Sequence, residues 1–408
     1  MENPNPRRLR GATLSDGRVV DAILEGGRVA DVAPAFDGDL LPGDLDLSGM
    51  LLLTAPAEPH AHLDKALSWD AIRPASGDLP TAIASWRDYD ATIDVDEIHG
   101  RATRAIEQYL RNGTTAIRTH VDVPAEGDPT RGVEAIVRAR DEFAGAVDVE
   151  IVALAARDLD PGRLDAALDA GADLVGGAPH LADDEAADLD RLLDAAERRG
   201  VGIDIHADEA LHHGGTLEIL AARTRTWQAT RTAGHCVRQS MLPDDELEPL
   251  LRTVAEAGIG VIANPITNLY LQGWDDPVAT PRGIAPVNRM RRAGILTAAG
   301  GDNIRDPFNP MGRADAFETA MLLVTAAHVP VDEAWEAVSS GARAVMGRPA
   351  AGVDVGKRAD LLAVRAASLA EAVATAPADR VVISRGRVVA RTETTRWMTP
   401  RSITEELR

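Results

Sequence analysis

The chain has 408 residues, enough for two or three ordinary domains or for one large barrel with a smaller companion. Hydrophobic residues make up 45% and charged residues 26%, the usage of a folded globular chain rather than a disordered or fibrous one. With 64 acidic against 43 basic side chains, the net charge of −21 repels the phosphate backbone that dominates nucleic-acid affinity, and no run approaches the ~20 apolar residues of a membrane span. The opening Met1-Glu2-Asn3-Pro4 lacks the charged-then-apolar order of a signal peptide, so a cytoplasmic chain with neither nucleic acid nor membrane as partner is expected. Cys236 is the only cysteine, which excludes an intramolecular disulfide, an all-cysteine zinc site and the H-x-E…P-C-x-x-C deaminase signature. Any metal must then be held by His and carboxylate.

In chain order, the N-terminal segment reads as short strands and turns at 18–20, 22–24 and 28–32, with Gly26-Gly27 between the last two. The C-terminal end repeats the pattern at 359–364, 381–384 and 387–389, with a turn at Gly386. These ends, 1–54 plus 350–408, are expected to pair into one small composite β-sandwich domain. Over 55–349, apolar β-type runs alternate with stretches whose apolar residues recur every three or four positions. Starting at the boundary itself, the expected barrel strands are 51–54, 115–120, 149–154, 173–176, 202–206, 231–235, 260–263 and 295–300. Helix-period stretches such as 98–111, 132–143, 185–199, 244–257 and 314–327 lie between them. Gly113, Gly171, Gly200, Gly258 and Gly294 precede strands, where a helix needs a left-handed stop. Eight β-then-α units are the arithmetic of a (β/α)8 TIM barrel of roughly 250 residues or more; a doubly wound open sheet is the alternative that spacing leaves.

Such a barrel builds its site at the C-terminal ends of its strands. His60 and His62 follow the first expected strand, and two residues apart in extended backbone they face one side. His206 ends the fifth strand, His235 the sixth, and Asp302 follows the eighth. A lone histidine is more often a hydrogen-bonded structural residue than a ligand, and His-x-His alone is a weak signal. The set outweighs its members, because structural histidines have no reason to fall at strand ends in a phase fixed by spacing alone. Imidazole plus carboxylate suits Zn, Fe or Mn. Binuclear barrel hydrolases often bridge two ions with a carbamylated lysine from the fourth strand. Neither Lys65 nor Lys357, the only lysines, lies there, so a single divalent ion is expected.

A divalent ion with an open position lowers the pKa of bound water to about 7. Attack on a carbonyl or amidine carbon also needs a group that carries the water proton to the leaving nitrogen. Glu209, three residues beyond His206 on the strand-five loop, is placed for this, although a solvated loop carboxylate reads the same way. Asp302 can both bind the ion and accept a proton. His235 either ligates the ion or polarises the electrophile.

Around these residues the chain resembles the amidohydrolase superfamily, and within it the cytosine deaminase group, related also to the N-isopropylammelide amidohydrolases. The resemblance runs over nearly the whole length, in order: Glu58-Pro59-His60-Ala61-His62-Leu63-Asp64, Arg118-Thr119-His120-Val121-Asp122-Val123, Val175-Gly176-Gly177-Ala178-Pro179-His180, Asp204-Ile205-His206-Ala207-Asp208-Glu209, Leu271-Gln272-Gly273 and Asp302-Asn303-Ile304-Arg305-Asp306-Pro307. It implies a mononuclear zinc or iron site formed by His60, His62, His206 and Asp302, with Glu209 as proton shuttle and His235 beside the attacking water. It also implies the composite sandwich and a homo-oligomer. Two departures stand out. Ala156 falls where cytosine deaminases carry the glutamine that binds the pyrimidine edge, and an alanine cannot hydrogen-bond a base, which points to a different ring or a less polar substrate. Asn303 follows the metal aspartate where those enzymes have a second acid. It matches the N-alkyl ammelide hydrolases, which in turn carry histidine where Glu209 stands.

Other residues complete the expected substrate site. Trp69, Trp86, Trp274 and Phe308 lie in loops that would overhang the rim, where stacking on a flat ring and plain lid packing are both natural. Arg157 is suited to a bidentate grip on a substrate carboxylate or carbonyl, or to a surface ion pair. His120 and His180 end the second and fourth expected strands and are expected to touch substrate; His99, His212, His213 and His328 have no assigned role. The expected activity is hydrolysis of a non-peptide C–N bond, releasing ammonia from a cyclic amidine or N-heterocycle other than cytosine. The alternatives are hydrolysis of a ring amide or removal of an N-alkyl amine, and, from another class, a catalytically silent barrel scaffold, which would be expected to have lost ligand positions.

Overall fold

The computed structural model describes residues 5–157 and 159–398. Eight parallel strands, numbered here in chain order, hydrogen-bond in sequence order: β1 (Glu58–Ala61), β2 (Ala116–Val123), β3 (Asp148–Ala155), β4 (Leu174–Gly177), β5 (Ile203–Ala207), β6 (Arg231–His235), β7 (Gly260–Ala263) and β8 (Thr297–Ala299). The last returns to the first, since the Asp302 N–H donates to the His60 carbonyl at 3.0 Å and Ala61 bridges Asp302 in parallel. The sheet is thus a (β/α)8 barrel. Parallel neighbours need long crossovers, and helices supply them.

The helix Val95–Arg111 shows how sequence places a crossover. Asp94 caps it by accepting the Glu97 N–H at 2.9 Å. Ile98, Ala102, Ala105, Ile106 and Tyr109 recur on one face and are buried against the barrel. Gly113, at φ +108°, then turns the chain into β2 where a side chain would be strained.

One expected element lies elsewhere. Leu51–Thr54 is not the first barrel strand; it pairs antiparallel with Leu361–Val364 in the sheet built from the chain ends. Its three leucines are buried on both faces, with Leu51 and Leu53 in the barrel core and Leu52 in the core of the small sheet. The true first strand, Glu58–Ala61, has no apolar run to announce it, and it carries His60 within itself rather than after itself.

The terminal strands form one hydrogen-bonded sheet. Its order is Arg387–Thr392, Arg380–Ser384, Leu361–Val364, Leu51–Thr54, Arg8–Thr13, Val19–Glu25 and Arg28–Pro34, with Asp44–Asp46 also beside Arg8–Thr13. Both chain ends thus build the expected small β domain, its strands joined in one hydrogen-bonded sheet. One face encloses a core that includes Leu9, Val20, Leu361 and Ile383, and Leu362, Val364 and Val382 on the other face join the barrel core. No helix among the described residues is long and apolar enough to cross a membrane.

Candidate functional site

The strand ends bring His60, His62, His206, His235 and Asp302 to one point. His62 Nε2 lies 3.2 Å from His206 Nε2 and 3.3 Å from Asp302 Oδ1, and His60 Nε2 lies 3.8 Å from the same oxygen. Within each of the sets His60, His62, His206 and His60, His235, Asp302, the ligand atoms lie within 4.8 Å of one another. The backbone is bent to achieve this. Asp208, His235, Cys236 and Asp302 all take left-handed φ values, between 50° and 69°, a region non-glycine residues seldom occupy and one that clusters at functional sites.

Both nitrogens of His60, Nδ1 of His206 and both oxygens of Asp302 are buried with no hydrogen-bond partner among the described residues. Buried polar atoms left alone are costly and call for a missing partner, and three imidazoles with one carboxylate form a donor set that suits a divalent transition metal. Burial, followed by neighbouring positive charge, holds His60, His62 and His206 well below the usual histidine range. Neutral rings keep lone pairs for a cation. Burial and then the carboxylates of Glu209, Asp306 and Glu58 push the Asp302 carboxyl well above its usual range, a repulsion that a cation at this point would relieve.

Glu209 and His235 stand beside this cluster. Glu209 Oε1 is 3.5 Å from His235 Nδ1, and the Glu209 carbonyl accepts from Gln272 Nε2 at 2.7 Å. Burial raises the Glu209 carboxyl, with His180 pulling it back. Asn268 Nδ2 donates to His235 Nδ1 at 3.0 Å, with Asn264 Nδ2 at 3.5 Å, and Asp302 Oδ2 lies 3.9 Å from that nitrogen. Burial sets the His235 pKa at about 4, so the ring is neutral.

The cluster opens into a cavity of about 720 Å³, the size of a small-molecule site. His62, His206, Glu209, His235, Asp302, Asn303 and Phe308 line it, together with Trp86, Asp122, Ala156 and Arg157. Three expected substrate contacts do not line it. His120 lies behind His60, with ring centroids 4.1 Å apart, and its Nε2 is 3.7 Å from Asp204 Oδ1 on the barrel floor; β2 runs on past it to Val123, so it does not end the strand. His180 sits in a short turn after β4, where Nδ1 meets the His206 carbonyl at 3.1 Å and Nε2 faces Glu209 Oε2 at 3.8 Å. Trp69 is also absent from the lining, and Trp86 from the next helix supplies the aromatic wall.

Several residues important to this geometry carried no sequence assignment. Glu58 accepts the N–H groups of Gly301 at 2.8 Å and His60 at 3.1 Å, locking β1 to the loop after β8, and burial raises its pKa to about 8. Lys65 Nζ reaches Asp122 Oδ1 at 2.6 Å, and Trp86 Nε1 donates to Asp122 Oδ2 at 2.8 Å. Glu58, Lys65, Asp122 and Gln272 lie inside or beside the sequence blocks that carry the resemblance, which is the signal that marks them. Asn268 lies outside those blocks.

Comparison with known proteins places this geometry among relatives. Residues 94–390 match a family model described as the amidohydrolase family. The pterin deaminase of Rhizobium rhizogenes is 30% identical over 387 residues, covering 91% of this chain and 88% of its own. Among solved structures, the 5-methylcytosine deaminase of Klebsiella pneumoniae, liganded with 5-fluorocytosine, superposes with a TM-score of 0.89 at 26% identity, covering 96% of this chain and 99% of that one. The N-isopropylammelide isopropylaminohydrolase of Burkholderia multivorans gives 0.81 at 31% identity, covering 94% and 98%.

Proposed function

We propose a function from one premise: the chain belongs to the amidohydrolase family. It is a metal-dependent hydrolase of non-peptide C–N bonds that releases ammonia from an amino-bearing ring carbon of an N-heterocycle, with two-ring pterins as the first substrate class. The observation that carries this reading is the meeting of His60, His62, His206 and Asp302, buried and largely without other partners, beside Glu209 and His235. Those four would hold one zinc or iron ion. When bound, the ion lowers the pKa of water towards neutrality and supplies the nucleophile.

The chain's own residues do the rest. Glu209, buried and within reach of the cluster, takes the water proton and returns it to nitrogen as the C–N bond breaks. Asn268 donates to His235 Nδ1, so the His235 proton resides on Nε2, where it polarises the carbon under attack. Asp302 orients the water by accepting from it. Ala156 leaves space where an amide would grip a single pyrimidine, and the cavity volume accommodates a second ring; the 30% identity to a pterin deaminase supports the same class.

The test is metal loading followed by ammonia measurement. Protein loaded with zinc or iron should bind one ion per chain and release one ammonia per pterin. Metal-loaded protein that frees no ammonia from pterin, aminopyrimidine or aminotriazine substrates would overturn the reading. A second reading, release of an alkylamine, is favoured by Asn303 beside Asp302 and by the 31% identity to the ammelide hydrolase; isopropylamine in place of ammonia would identify it.

A further inference from the structure

The cavity wall extends beyond the histidine cluster. The helix Leu79–Asp90 faces the cavity with Leu79, Ile83, Trp86, Arg87 and Asp90, positions that share one side of a helix. The loops after β2 and β3 line the same cavity, with Glu126, Ala156 and Arg157. Most charges here are engaged. Arg131 pairs with Asp90 at 2.7 Å and donates to the Ile93 carbonyl at 3.1 Å, and Asp122 is held by Lys65 and Trp86. Arg87 and Arg157 differ: both are exposed, both line the cavity, and neither has a side-chain hydrogen bond or ion pair among the described residues. Glu126 is this wall's one carboxylate without such a partner. Two free guanidiniums against one free carboxylate leave a positive surplus on a chain whose net charge is −21.

We infer that the substrate extends beyond its deaminated ring and carries a carboxylate at the far end, bound by Arg87 and Arg157. The guanidinium fork matches a carboxylate in two parallel hydrogen bonds. Leu79, Ile83, Leu154 and Ala155 supply apolar walls for the ring system between the two ends. Ala156, immediately before Arg157, lines the same cavity. The inference rests on the pterin reading above and adds a charge requirement to it.

The experiment compares three probes on metal-loaded protein: pterin, 6-hydroxymethylpterin and pterin-6-carboxylate. The hydroxymethyl compound separates bulk from charge. The carboxylate should show a kcat/KM about tenfold above the hydroxymethyl compound, mainly through KM, and the preference should shrink in high salt, because exposed charges are screened. Arg87→Ala and Arg157→Ala should each reduce that ratio about fivefold, the upper range for an exposed ion pair, and Arg157→Lys should retain part of it. Equal kcat/KM for the two substituted pterins, or a ratio unmoved by both alanine variants, would overturn the inference and leave the pterin reading standing. No ammonia from any of the three would overturn the reading itself, and the inference with it.

Discussion

A Cβ on Gly234 would stand 2.7 Å from Cε1 and 2.9 Å from Nδ1 of the His60 ring. The ring is fully buried, so the atoms it would strike belong to a rigid side chain with no room to withdraw. Glycine in β6 is thus the condition for the position of His60 in β1. Gly234→Ala should weaken zinc affinity about 10–100-fold, the usual cost of disturbing a ligand's support, while the fold persists. Metal titration with a parallel thermal melt checks this, and unchanged affinity would mean the ring shifts freely.

Glu209 lies outside both ligand sets that include His60 with His62 or Asp302, yet it reaches His235 at 3.5 Å. Glu209→Gln keeps the shape and removes the carboxylate proposed to carry the proton. Metal content should stay at the wild-type level and kcat should fall about 10²–10⁴-fold, the range for loss of a general acid–base group. Full turnover by a metal-loaded Glu209→Gln protein would remove Glu209 from the proton path.

The meeting of His60, His62, His206, His235 and Asp302 was legible in the sequence because each stands within a few residues of the end of a strand, and barrel closure carries strand ends together whatever the loops do. The first strand was misplaced for the opposite reason: Glu58-Pro59-His60-Ala61 spends its residues on the site and has no apolar run, whereas Leu51–Thr54 advertises burial that belongs to another sheet. Contacts that arise only from folding were not legible. Asn268 and His235 are 33 residues apart, Lys65 and Asp122 57, and Gln272 and Glu209 63. His120 shows the limit of the strand-end argument, since β2 runs on to Val123 and leaves that ring on the floor beneath His60.

Asn268 sets which nitrogen of His235 carries the proton. With Nδ1 accepting from the amide at 3.0 Å, Nε2 is the donor. Asn268→Asp replaces that donor with an acceptor and moves the proton to Nδ1, so Nε2 changes from donor to acceptor. kcat should fall about 10²-fold or more with metal content unchanged, as expected when a catalytic imidazole is held in the wrong tautomer. Asn268→Leu, which only removes the donor, should fall less. Kinetics and metal analysis on the two variants test the order, and equal losses would point to packing rather than tautomer.

Asp44 offers a test of pH dependence away from the histidine cluster. Its carboxylate accepts from Arg8 Nε at 3.0 Å and Nη2 at 2.8 Å, from the Leu41 N–H at 2.9 Å and from Arg10 Nη1 at 3.0 Å. The Arg8 hydrogen bonds, with those of Leu41 and Arg10, outweigh burial and lower its pKa from 3.8 to about 2. A folded value below the unfolded one means that the ionised group favours the folded state, so the stabilisation is complete above about pH 4 and is lost as the pH falls towards 2. Asp44→Asn should therefore melt about 2 °C or more below wild type at pH 7, given the shallow Tm response of a chain this long. The difference should narrow steadily between about pH 4 and pH 2 as the wild type loses its own charge. Melts across that range decide the matter, because a gap that stayed constant down to pH 2.5 would assign the effect to shape and not to charge.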